Sequence, residues 1–216
     1  MELPKFKNKE DELQFEQGEA LPLMEAFYTL QGEGHHTGKA AYFIRLGGCD
    51  VGCHWCDVKE SWNPQLHPLT KVDSIIQNVL KENADTVVIT GGEPSAYNLN
   101  YICSQLKKNN ISVHIETSAS YALNGVFDWV CLSPKRTAPP LEINLAKANE
   151  LKIIVYNNAD FKWAEEYSNK VSKNCMLFLQ PEWSKCEKLL PEIIEYIKLN
   201  PKWRISLQAH KYMNIP

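Results

Sequence analysis

Nowhere does the sequence hold a run of about 18 apolar residues, the length a membrane-spanning helix needs, so no membrane association is expected. The opening residues MELPKFKNKEDELQFEQGE are charged throughout and lack the apolar stretch of a secretory signal, which predicts a soluble, cytoplasmic protein. An excess of charge of either sign is also missing. With 23 Lys and Arg against 26 Asp and Glu, the formal net charge is −3, which provides no general grip on nucleic acid or anionic lipid. Direct binding of nucleic acid is therefore not expected. Internal repeats, low-complexity tracts and linkers are absent too. The 216 residues, 44% of them hydrophobic, suffice for one core, and the expectation is a single domain over residues 1–216 whose first 22 residues are a charged leader.

Seven apolar runs, at residues 40–46, 86–90, 112–116, 128–133, 151–156, 176–180 and 204–208, read as strands, with 40–46 the first. Their near-continuous apolarity and β-branching suggest burial on both faces. Helical patterns lie between several of them, at 71–83, 98–110, 160–172 and 184–200, the last with Pro191 as a kink or a boundary. This alternation predicts a parallel α/β architecture. Polar tags follow six of the strands: the segment from Cys49, then GGEP, TSAS, PKRT, PEWS and AHKY. Strand-end loops gathered at one end build the site of a (β/α) barrel, although a doubly wound sheet also binds ligands there. A full barrel takes about 250 residues, so a partial, open TIM-type (β/α) barrel is the expectation.

Cys103, Cys131, Cys175 and Cys186 are scattered singly and read as small buried hydrophobes in a reducing compartment. Cys49, Cys53 and Cys56 are different, because such clustering has no packing rationale. Glycines at 47, 48 and 52 let their loop close tightly around a bound object. No second Cys-x-x-Cys follows, so the usual structural zinc pairing is missing. His54 or Asp57 could complete a zinc site only with strain, and a thiol redox pair would leave Cys49 idle. A 4Fe-4S cluster on three thiolates leaves one iron open to another ligand, which gives a reason for the number three.

The triplet Cys-x-x-x-Cys-x-x-Cys, with Trp55 before its last cysteine, resembles the signature of the radical S-adenosylmethionine superfamily. The resemblance implies a partial barrel in which Cys49, Cys53 and Cys56 hold the cluster and S-adenosylmethionine binds the open iron through its methionyl group. Reductive cleavage would then yield a 5′-deoxyadenosyl radical that takes hydrogen from a substrate. GGEP, with Gly92 and Glu93, resembles the superfamily loop that holds the methionyl amino group.

QGEG at residues 31–34, with WCDVKESW, TGGEP, ETS, SPK, LQPEW and the terminal HKYMNIP, resembles the 7-carboxy-7-deazaguanine synthases along almost the whole chain from Met24. That implies contraction of 6-carboxy-5,6,7,8-tetrahydropterin with loss of ammonia, a lyase step of queuosine or other deazapurine biosynthesis and so of tRNA modification. Chemically, Glu33 can accept from adjacent N–H donors of a pterin, Gln31 can donate and accept, and Arg45 can fork onto a carboxylate. The resemblance assigns Leu30, Gln31, Gly32, Glu33, Arg45, Thr90 and the C-terminal Pro216 to the substrate. It assigns Trp55, Cys56, Asp57, Gly92, Glu93, Ser133, Pro134, Lys135 and Gln180 to S-adenosylmethionine. A flavodoxin- or ferredoxin-type electron donor and a homodimer are implied as partners. Val58 departs from the family pattern, where a Thr or Ser hydroxyl helps to hold Mg²⁺; a side chain without oxygen makes Mg²⁺ doubtful here. Asp57, Glu60 or Ser61 could supply other oxygens, or Lys59 could answer the substrate's charge instead. His35 and His36 read as loop residues, and His210 and Lys211 carry no assignment. The rival readings are a glycyl-radical-enzyme activase and, in a different class, a non-enzymatic zinc-binding module.

Overall fold

The apolar runs form the parallel strands of one sheet in the computed structural model, which describes residues 2–216. In chain order the elements are helix α1 (Lys9–Glu16), strands β1 (Ala20–Leu30), β2 (Ala40–Leu46) and β3 (Leu69–Lys71), helix α2 (Val72–Lys81), β4 (Thr86–Gly91), α3 (Asn100–Lys108), β5 (Ser112–Thr117) and β6 (Trp129–Leu132). There follow α4 (Glu142–Leu145), β7 (Glu150–Val155), α5 (Ala159–Ser168), β8 (Met176–Pro181), α6 (Cys186–Leu199), β9 (Trp203–Ile205) and α7 (Ala209–Met213). Among the described residues nine strands lie in the order β3-β1-β2-β4-β5-β6-β7-β8-β9. From β2 onward all neighbours are parallel, whereas β1 runs antiparallel to both β2 and β3. Because β3 and β9 stand at opposite ends and do not pair, the barrel is open.

Two apolar layers cover the outer face. Apolar side chains of α2 at 72, 75, 76 and 79 follow the i, i+3, i+4, i+7 spacing of a helix face and pack with α3 on Val87, Ile89, Val113 and Ile115. Leu151, Ile153 and Val155 pack under α5 and α6 with Ala164, Tyr167, Ile193 and Trp203. Since strand residues alternate between faces, their neighbours point into the barrel. At one side this interior is apolar, with Phe27 stacked on Phe43 at 5.7 Å beside Ala41 and Val88. Elsewhere it is polar, with Ser112, His114 and Glu116 on β5 and Glu150 and Lys152 on β7.

Several expectations need correction. Ala40–Leu46 is the second strand; β1 precedes it and begins inside the supposed leader, which also contains α1. In β1, MEAFYTL mixes apolar and polar residues because it borders the open side, so it lacks the continuous apolar signature of a central strand. Pro191 neither ends nor divides α6. The last strand is shorter and starts earlier than 204–208, and the AHKY tag is the start of α7 instead of a loop. Cys103, Cys131 and Cys175 are buried, but Cys186 is half-exposed. Among the described residues no helix is long and apolar enough to cross a membrane.

Ile89, fully buried between β4 and its covering helices, tests this packing. Ile89→Ala should lower unfolding free energy by about 2–5 kcal/mol, measured by urea denaturation at constant m-value.

Candidate active site

Leaving β2, the chain is gripped at once. Gly48 N–H donates to the Ser61 carbonyl at 2.5 Å, Cys49 N–H to the Trp62 carbonyl at 3.0 Å, and the Tyr97 hydroxyl to the Gly47 carbonyl at 2.6 Å. Gly48 at φ 100° and Gly52 at φ 68° occupy conformations that L side chains resist. The loop thereby turns Cys49, Cys53 and Cys56 toward one cavity of about 300 Å³ at the strands' C-terminal ends. Burial pushes the Cys49 thiol up to about 11, and Glu93 and the two other thiols add to the effect. Burial raises Cys53 as well, against the pull of Lys135. Such thiols become thiolates when a metal supplies positive charge. Among the described residues no three His, Cys, Asp or Glu converge as a single bound ion would require. The triplet instead lines the wall of a cavity wide enough for a larger group, and three soft donors on one short loop fit an iron-sulfur cluster.

The loop after β4 locks onto the cysteine loop. Gly92 N–H donates to the Leu46 carbonyl at 2.8 Å and Glu93 N–H to the Gly48 carbonyl at 2.9 Å. A Cβ on Gly92 would stand 2.1 Å from the Gly48 oxygen and 3.0 Å from the Cys49 Cβ, so only glycine permits the approach. The Glu93 carboxylate, 1% exposed, is already committed. It accepts from Ser95 N–H at 3.0 Å, Ser95 Oγ at 2.6 Å and Ser118 N–H at 2.8 Å, and also from the hydroxyls of Thr117 and Ser118. Expected in the loop that holds the methionyl amino group, Glu93 also ties the ends of β4 and β5 together.

Lys135, expected at a strand end, folds back so that its ammonium donates to the Ser133 carbonyl at 2.6 Å and Oγ at 2.7 Å, 5.6 Å from the Trp55 ring centroid. Burial lowers its pKa. Gln180 accepts from Ser206 Oγ at 2.6 Å. Asp57 accepts from Lys211 at 2.8 Å, and although burial opposes its charge, Lys211 holds its carboxyl below the ordinary range. That contact gives the unassigned Lys211 a place.

The floor contains what the sequence reading missed. Lys152 reaches up from β7, its side chain 3% exposed, to Glu33 at 2.5 Å and Glu116 at 2.9 Å, and Gln31 Nε2 donates to the other Glu116 oxygen at 2.7 Å. Burial would raise the Glu33 carboxyl, but the Lys152 charge and hydrogen bond bring it below its usual value. Burial likewise opposes the Lys152 charge, yet Cys131, Glu116, Glu33 and Glu150 around it hold the ammonium well above its ordinary range. The signal was present in the sequence as a lysine and a glutamate inside the apolar runs LKIIVY and SVHIE. Arg45 donates from Nε to Glu25 at 2.6 Å and lines the cavity. His210 also lines it, packed so closely that a Cβ on Gly32 would meet its Nδ1 at 2.4 Å. Beyond α7, Asn214 takes a left-handed turn at φ 54° and Pro216 returns to the cavity wall.

Leu30, Gln31, Gly32, Glu33, Thr90, Trp55, Gly92, Ser133 and the remaining expected residues all meet at this cavity, with one exception: Pro134 is buried and does not line it. Val58 is on the wall. Of its suggested substitutes only Asp57 is. The Ser61 hydroxyl donates to the Val58 carbonyl at 2.7 Å, and Lys59, off the cavity, lies 6.0 Å from the Trp62 ring centroid. His36, read as a loop residue, is in a short 3-10 turn (Gly34–His36) with its ring 4.6 Å from that of His114.

Comparison with known proteins finds relatives along almost the whole chain. A model of the radical SAM superfamily matches residues 43–127. The 7-carboxy-7-deazaguanine synthase of Flavobacterium psychrophilum is 58% identical over 208 residues, covering 96% of this chain and 99% of that protein. The synthase of the same name from Synechocystis is 45% identical, covering 90% and 93%. The crystal structure of QueE from Escherichia coli superposes with a TM-score of 0.78 at 32% identity, covering 92% of this chain and 98% of that one.

Removing the buried cation should expose its importance. Glu33 contributes stability that is present above the ordinary carboxyl value of 4.5 and lost as pH falls through its lowered folded value. Lys152 contributes stability that is present below 10.5 and lost as pH rises through its raised value. Lys152→Met should therefore cost about 3–5 kcal/mol near neutral pH, and chemical denaturation should show the gap from wild type narrowing once pH falls below 4.5.

Proposed function

The chain belongs to the 7-carboxy-7-deazaguanine synthase family of radical S-adenosylmethionine enzymes, and on that premise we propose how its residues divide the work of converting 6-carboxy-5,6,7,8-tetrahydropterin to 7-carboxy-7-deazaguanine. It is a carbon–nitrogen lyase of queuosine biosynthesis. The single observation carrying the assignment of roles is that one cavity has three thiols on its wall and a carboxylate–lysine–carboxylate group at its floor.

Cys49, Cys53 and Cys56 would hold a 4Fe-4S cluster, and with S-adenosylmethionine it would supply a reducing electron and a carbon-centred radical for hydrogen abstraction. The protein's own part is to bind, orient and exclude water. Trp55, Gly92, Ser133, Lys135 and Gln180 line the wall where the sulfonium cofactor would lie, with Pro134 backing them and Asp57 and Glu93 as nearby anions. Below, Glu33 stays ionised beside Lys152 and accepts from the amino-pyrimidinone edge of the pterin, with Gln31 as a second polar contact. Glu25 takes the Nε hydrogen of Arg45, leaving the terminal N–H groups of the guanidinium for the substrate carboxylate. Leu30, Gly32, Thr90 and Pro216 complete the enclosure.

Mg²⁺ dependence should be weak or absent. Val58 offers no side-chain oxygen, the Ser61 hydroxyl is used internally, and Asp57 already faces the Lys211 ammonium. Residues 1–216 are read as a single domain, because one sheet collects every strand of the described residues. A flavodoxin- or ferredoxin-type donor, a homodimer covering the short edges β3 and β9, and a cytoplasmic setting complete the proposal.

Anaerobically reconstituted protein given reductant, S-adenosylmethionine and carboxytetrahydropterin should form the deazapurine and ammonia. Cleavage of S-adenosylmethionine without the deazapurine would defeat the substrate assignment alone. Cys53→Ala should lose the brown iron-sulfur chromophore, and an intact chromophore would show misassigned ligands. Enzyme loaded with its cluster but freed of Mg²⁺ should turn over at nearly the full rate, and a large saturable stimulation by added Mg²⁺ would refute the Val58 reading.

A further inference from the structure

The interior of a (β/α) barrel is ordinarily filled by branched apolar side chains, yet the inner face of β5 carries Ser112, His114 and Glu116. Val113 and Ile115 between them belong to the outer core, so the alternation of a strand points the three polar side chains inward, a ladder of about 13 Å from the back of the barrel to the cavity. Its members are in contact with further polar groups. Ser112 Oγ lies 3.2 Å from His114 Nε2, and the His114 ring stands 4.6 Å from that of His36. At the top Glu116 meets Gln31 and Lys152.

Empty space follows the same line. A void of about 10 Å³ lies between Glu116, Glu150, His114 and His36, room for about one water. Behind it a second void of about 190 Å³ is bounded by His36, His114, Ser112, Thr86 and Lys39. Lys39 is exposed, so this second void borders solvent. Gln31 is a shared wall of both voids and of the main cavity. Both ring nitrogens of His36 are buried without a hydrogen-bond partner among the described residues. Buried polar atoms in native proteins find partners, and a water in the small void would be one.

We propose that this column is a proton conduit, joining the Glu116–Lys152 pair beneath the cavity to solvent behind the barrel through His36, His114 and intervening water. A neutral imidazole passes a proton by accepting at one ring nitrogen and releasing from the other. Burial keeps both rings neutral, lowering His36 to about 4 and lowering His114 as well, where Lys39 and Lys107 assist while Asp128 and Glu116 oppose. Glu33, His35, Cys131, Glu150 and Lys152 are the other titratable groups facing the column. The role rests on the proposed reaction. Nitrogen expelled as ammonia leaves as ammonium after taking up one proton, and the N–H bond formed at that nitrogen draws its proton from the Lys152–Glu116 pair. Bulk water restores it along the column, so the protein ends each turnover unchanged.

Three measurements test the conduit. A high-resolution crystal structure should place a water within hydrogen-bonding distance of a His36 ring nitrogen; a dry void overturns the conduit whatever the substrate proves to be. Wild-type turnover of carboxytetrahydropterin tests the underlying reading separately. His114→Leu removes the ring nitrogens, and Thr86→Phe plugs the rear void without altering a relay side chain. Both, folded and loaded with cluster, should lose about tenfold or more in kcat at unchanged KM, with a larger ratio of rates in H₂O and D₂O. Added imidazole should restore His114→Leu while leaving wild type unaffected. Unchanged kcat and isotope ratio, or a loss that imidazole does not rescue, overturns the conduit. If His114→Leu fails to fold, Thr86→Phe and Ser112→Ala decide on kcat and isotope ratio.

Discussion

A lysine enclosed within the barrel is the constraint on which the site depends. Lys152 stands on the inner face of β7, almost without solvent, and a buried cation is tolerable only when carboxylates close on it. Glu33 comes from the connection between β1 and β2, and Glu116 from β5. The pairing therefore ties the QGEG segment across the open side of the barrel, since letting it swing away would strand a charge. With that segment in place, Gly32 presses against His210 and its carbonyl accepts from the Ala209 N–H at 2.8 Å. Helix α7 is docked by this contact, and the turn at Asn214 then brings Pro216 to the cavity. One ion network at the floor thus organises the chain's C-terminal end as well.

The mouth is held by a different device, close backbone approach. Gly92 rests on Gly48, and Glu93 gathers Ser95, Thr117 and Ser118 around one carboxylate. The bonds to this carboxylate clamp the ends of β4 and β5, and the backbone bonds from Gly92 and Glu93 to Leu46 and Gly48 add the end of β2. The cysteine loop inherits that rigidity, which holds its thiols toward the cavity. Asp57 and Lys211 add a link from the same loop to α7. Floor and mouth consequently meet at one helix, although they lie on different loops.

Much of the fold was legible because central parallel strands, covered on both faces, must be apolar along their length. The runs around 86–90, 112–116 and 176–180 fall within one residue of β4, β5 and β8. Strands at the open side escaped for the converse reason. MEAFYTL in β1 faces a half-polar interior, and β3 is three residues long. Likewise the cysteine triplet announced itself by spacing. Lys152 and Glu116 were hidden inside runs read for their apolar majority.

By itself the sequence determined the architecture and the chemistry of the mouth, since both depend on local signals: the period of apolar residues, glycines where the backbone must turn, and three thiols within eight positions. Only the tertiary structure decided the floor. Which carboxylates answer Lys152, why Gly32 has no side chain, what Lys211 is for and how Ser112, His114 and His36 align are matters of approach between segments separated by tens to more than a hundred residues. Spacing along the chain carries no record of such pairings, because the energy that selects them, the cost of a buried charge or polar atom without a partner, arises only once the barrel has excluded water.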